Sequence, residues 1–110
     1  MTVTLAILVA LVFVLLGVAK VLALPQMREL ATHAGFSVNA YRGIGALELA
    51  GAAGVLLGLA HPLLGGLAGA GLLLLLAGAV ITHVRNKDKP QQLAPAVVCA
   101  LLVIGYLVAL

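Results

Sequence analysis

Four long apolar runs, at 3–24, 41–60, 63–84 and 93–110, occupy most of this 110-residue chain. Each is about the 20 residues that cross a hydrocarbon core as a helix. No strand reading fits, because the runs are continuous rather than alternating and an open sheet edge cannot sit in lipid. With 65% hydrophobic residues, only 8% charged and a mean hydropathy of +1.30, the chain has too little charge to cover a water-soluble exterior. The expectation is an all-α integral membrane four-helix bundle, forming a single domain over 1–110. The first run has no basic segment before it and no soluble body after it, which points to a retained span rather than a cleaved leader.

The connections carry the polar residues. The first, 25–40, is longer than a hairpin needs, and Met27, Leu30, Ala31 and Ala34 recur in it at helical spacing. Pro25 suits a first helical turn and Gly35 a C-terminal cap, so a short amphipathic helix lying at the interface is expected there. His61-Pro62 is a tight turn, and 85–92 is short and basic. All six basic residues, Lys20, Arg28, Arg42, Arg85, Lys87 and Lys89, belong to the first and third connections and the span ends beside them. That one-sided bias places both termini outside the cytoplasm. The net charge of +3 forms no aromatic-interleaved stripe, so nucleic acid is excluded as a partner.

Other familiar chemistries are missing. The one cysteine, Cys99, rules out an intrachain disulfide or a CxxC pair, and reads as a small buried residue. Small residues recurring every four positions, at Ala50, Gly54 and Gly58 and at Gly65 and Gly69, read as close helix packing. The run 65–71, GGLAGAG, follows no strand and carries no lysine, so it is not a phosphate loop. No metal constellation is visible, and His83 alone could supply only one axial ligand to a haem.

Three ionisable groups nevertheless fall within spans: Lys20 near the end of the first, Glu48 inside the second and His83 near the end of the third. Glu48 lies about 10 Å in from its helix start. Because every Cα–Cβ bond tilts toward its helix N-terminus, Lys20 and His83 lean toward the membrane centre and Glu48 leans the other way. The three side chains are therefore expected to converge. A lone charge in hydrocarbon costs about 3 kcal/mol even on the lenient insertion scale, and glutamate is too short to reach water from that depth. Glu48 needs a partner, a proton or a wet cavity, and Lys20 is the natural partner. Tyr41, Arg42 and Thr82 lie near enough in sequence and depth to be candidate ligand-binding neighbours, although Tyr41 and Arg42 also suit a membrane-edge anchor. His33 and His61 read as solvated loop residues.

The segments GVAK (17–20), ELAGAAG (48–54) and AVITHVR (79–85) resemble, in order and spacing, three signatures of the DoxX-like family of small four-span bacterial membrane proteins. The resemblance covers essentially the whole chain. It implies a four-helix membrane bundle in a bacterial inner membrane and marks Lys20, Glu48 and His83. By name the wider family is tied to a subunit of a thiosulfate:quinone oxidoreductase and to redox-stress membrane complexes. The absent cysteine pair tells against thiol redox chemistry carried by this chain.

Four functions stay open on the sequence. One is a module binding a lipophilic small molecule such as a quinone beside Glu48, Lys20 and His83. The second is an intramembrane acid/base enzyme, of isomerase or epoxide-opening type, with Glu48 as base, Lys20 holding its charge and His83 as acid. The third is a proton-coupled exporter of the small multidrug type, opposed by the position of the glutamate and the one-sided charge bias. The fourth is a scaffold subunit of a redox membrane complex. A homo-oligomer or a larger assembly is expected in each case.

Overall fold

A computed structural model describes all residues 1–110, and it contains five helices and no strand: α1 (Thr2–Val21), α2 (Pro25–Ala34), α3 (Val38–Leu57), α4 (Pro62–Arg85) and α5 (Pro90–Ala109). The four long ones are apolar and long enough to span a membrane, and α2 is the short amphipathic helix of the first connection. The molecule's longest dimension is 38 Å, enough to cover a hydrocarbon core of about 30 Å.

Helix ends follow local chemistry more closely than they follow hydropathy. Helix α1 stops at Val21, three residues short of the apolar run, because Ala23 turns left-handed (φ 51°) and Leu24 precedes a proline. A residue before proline is pushed out of the helical region. Helix α3 begins at Val38 rather than at Tyr41, since the Ser37 hydroxyl accepts a hydrogen bond from the Ala40 N–H at 3.0 Å and caps the helix ahead of the apolar run. Pro62 and Pro90 each occupy a first turn, where the missing N–H removes nothing. At the end of α2, Gly35 is left-handed (φ 83°) and the Phe36 N–H donates to the Ala31 carbonyl, a Schellman closure.

The four long helices form a ring in which α1 packs on α3 and α5, and α4 on the same two. Helices α1 and α4 face each other across the diagonal. Only 18 of 110 residues are buried, and Leu, Ile and Val dominate the outward surface. Such a surface suits lipid and would be a large aggregation liability in water. The core is filled by Val9 and Phe13 of α1, Val55 of α3, Leu72 of α4, and Val103 and Tyr106 of α5.

Glycines bring backbones together at two crossings. Gly58 and Gly65, beside the α3–α4 turn, lie backbone to backbone, with the Tyr106 hydroxyl against both. That hydroxyl donates to the Val55 carbonyl at 2.8 Å. Tyr106→Phe is expected to lower stability by about 1 kcal/mol, seen as an earlier unfolding midpoint in a detergent titration, because the bond is buried and the ring packing is kept. At the same end the Thr2 hydroxyl donates to the Ala109 carbonyl at 2.9 Å, which fastens the two termini side by side.

Candidate functional site

The second glycine crossing builds the site. Gly17 of α1 and Gly45 of α3 face each other so closely that a Cβ on Gly45 would lie 2.6 Å from the Lys20 Cβ and 2.8 Å from the Gly17 carbonyl oxygen. Each glycine stands three residues before an ionisable group, in Gly17-x-x-Lys20 and Gly45-x-x-Glu48. Residues three apart share a helix face, so a crossing through the glycines sets the lysine stem against α3 and the carboxylate in its path. The Lys20 Nζ donates to Glu48 Oε1 at 2.5 Å. The lysine side chain is 14% exposed and the glutamate 4%, so the pair is shielded from bulk water. Glu48 is the one buried charged residue, and no buried side-chain nitrogen or oxygen lacks a partner.

The pair opens on a cavity of about 560 Å³ inside the α2 end of the ring. Each helix offers it one face. Helix α1 contributes Phe13, Leu16 and Lys20, and α3 contributes Tyr41, Ile44 and Glu48, both at the i, i+3, i+7 spacing of one helical stripe. From α4 come Ala79, Thr82 and His83, from α5 Gln92, Ala96 and Cys99, and α2 lies across with Met27, Leu30, His33 and Ala34. The volume is in the range of small-molecule sites, about 300–1,000 Å³, and apolar walls with a few convergent polar groups are their usual make-up. A smaller hollow of about 270 Å³ between α4 and α5 is lined only by hydrophobic residues such as Leu73, Val80 and Leu101, and so offers nothing for directional recognition.

The sequence candidates have distinct placements. Tyr41 lines the cavity with its ring 5.1 Å from the Lys20 Nζ, within reach of a cation–π contact, and 6.3 Å from the Phe36 ring. Thr82 also lines it, while its hydroxyl donates back to the Gly78 carbonyl at 2.8 Å. Arg42 is exposed and does not line the cavity. One helical step of about 100° beyond Tyr41 turns it outward. His83 shares the cavity wall with Lys20 and Glu48 but is not part of their ion pair. Its Nδ1 meets Asp88 Oδ2 at 2.6 Å.

Asp88 is the residue that sequence reasoning overlooked. Its other oxygen meets His33 Nε2 at 2.7 Å, so one carboxylate joins two imidazoles from α2 and α4. The Asn86 amide adds a hydrogen bond to the His33 carbonyl at 3.1 Å. Hydrogen bonds from His83 and then His33 hold the Asp88 carboxyl below the usual carboxylate range. A depressed carboxyl stabilises the fold above its unfolded pKa and loses that contribution only as pH falls through the lower, folded value. The Asp88 contribution to the linkage between α2 and the α4–α5 connection is therefore lost only in acid, below the usual carboxylate range. The available signal was a lone acid between Lys87 and Lys89, five residues after a histidine. His33, read as a solvated loop residue, is instead helical and half exposed.

A family model described as the DoxX-like family matches residues 4–105, nearly the whole chain. Comparison with curated proteins and with solved structures finds no match.

Proposed function

We propose that this chain, which belongs to the DoxX-like family, binds a small lipophilic molecule of the quinone type in the cavity beside Lys20 and Glu48. One observation carries the reading: a shielded ion pair opens directly on a ligand-sized space walled mostly by hydrocarbon. Intramembrane ions are costly to keep, and where they persist they mark a pathway or site. A carbonyl oxygen entering the cavity could accept from the Lys20 ammonium, and a hydroxyl could donate to Glu48. Tyr41 and the ring of His83 lie on the same walls and would set the orientation of a flat ring. The molecule would be inserted in a bacterial inner membrane with Lys20, Arg28, Arg42, Arg85, Lys87 and Lys89 at the cytoplasmic face and both termini outside. It would act as a homo-oligomer or within a larger membrane complex.

Titrating a short-chain quinone into purified protein tests the reading. Removing a charged hydrogen-bond partner costs about 1.5–3 kcal/mol, so Glu48→Gln, compared at equal folded fraction, should bind at least about tenfold more weakly. Equal affinity would remove Glu48 from the site.

A further inference from the structure

We infer that α2 is a hinged lid over the cavity, latched by His33, Asp88 and Asn86, and that the seam it closes is the route by which ligand and water enter. The inference rests on the cavity being a site that something enters.

Four observations converge on α2. It lays one face, Met27, Leu30, His33 and Ala34, over the cavity, while only its Ala31 is buried. It packs chiefly against α3 and far more lightly than the ring helices pack on one another. Left-handed residues flank it, Ala23 (φ 51°) two positions before its start and Gly35 (φ 83°) at its C-terminal cap. Few contacts between two such corners are the features of a segment that opens locally without unfolding the rest. Finally, its C-terminal end is joined across the cavity rim to the end of α4 and the α4–α5 connection by polar links: His33 Nε2 to Asp88, and the Asn86 amide to the His33 carbonyl. His83, bonded to the other Asp88 oxygen, anchors the latch to α4.

Hydrogen bonds at a rim where His33 is half exposed and the Asp88 carboxylate is shielded suit a latch. Their net worth is small enough to release at equilibrium, yet their geometry restores one closed position. Met27, Leu30 and Ala34 make most of the underside of α2 apolar, so closure returns a largely hydrocarbon wall to the cavity and shields the Lys20–Glu48 pair from water.

The protein carries its own reporter, since Cys99 is the sole cysteine and lines the cavity. The rate at which a charged, membrane-impermeant maleimide modifies Cys99 in the ligand-free protein measures opening. Removing the latch with His33→Ala/Asn86→Ala should raise that rate at least about tenfold over wild type, from the loss of two hydrogen bonds, one of them to a carboxylate. Cys99→Ala supplies the background. If the double variant fails to keep its helical content, His33→Ala alone, at a half-exposed position, should still raise the rate severalfold. A rate unchanged by the variants, or a wild-type rate already equal to that of the denatured chain, would overturn the lid. Because no ligand is present, failure here leaves the quinone reading standing, and failed quinone binding leaves the labelling result intact.

Discussion

Lys20→Met or Glu48→Met alone is expected to destabilise the fold by about 3–5 kcal/mol, while Lys20→Met/Glu48→Met together should recover most of that loss. Each single change strands a charge in a space that bulk water barely reaches, since the lysine and glutamate side chains are 14% and 4% exposed. The double change replaces both ions with thioether chains of similar length, and apolar replacement of a buried ion pair is often neutral or stabilising. A reversible detergent-to-dodecyl-sulfate unfolding titration would read the pattern as two early midpoints and one near wild type. Additive losses in the double variant would mean that the two groups do not stabilise each other.

Gly45→Ala should weaken both the bundle and the site. Its Cβ would lie 2.6 Å from the Lys20 Cβ, 2.8 Å from the Gly17 oxygen and 3.1 Å from the Val21 nitrogen. Two of those atoms are backbone and cannot swing aside, so α1 and α3 must separate at the crossing that aligns Lys20 with Glu48. Overpacking of this kind costs about 1–3 kcal/mol. Gly43→Ala is the matched control, for nothing lies within 4 Å of the added methyl. It should be neutral or stabilising by up to about 1 kcal/mol through helix propensity. Unfolding midpoints measured side by side should fall for Gly45→Ala and hold or rise for Gly43→Ala. Equal midpoints would contradict the close crossing.

Scarcity made much of this legible in the sequence. With six basic and three acidic residues in the chain, a glutamate inside an apolar run stands out, and the tilt of helical side chains is enough to aim Lys20 at it. The four spans are legible for the same reason, because bilayer thickness fixes their length. Their ends are less so: Ser37 and the left-handed Ala23 act through single hydrogen bonds and torsions to which hydropathy is blind. His83 points out the second limit. Its depth matched that of Lys20, but depth along a helix says nothing of rotation around it or of a partner in the next connection. Asp88 lies in a short basic segment that resembles any solvated loop, and its role depends on α2 folding back across the bundle. Such a tertiary placement leaves no periodic trace in the sequence. Arg42 fails as a cavity residue by a single step of helical rotation.

The most direct test of a ligand site built on Lys20 and Glu48 is quinone affinity in Lys20→Met/Glu48→Met, the variant expected to fold as well as wild type. With the cavity walls kept and only the polar pair gone, the affinity should fall at least about tenfold. Wild-type affinity in that folded double variant would show that the ion pair merely holds α1 to α3, and that any molecule in the cavity is gripped by hydrocarbon alone.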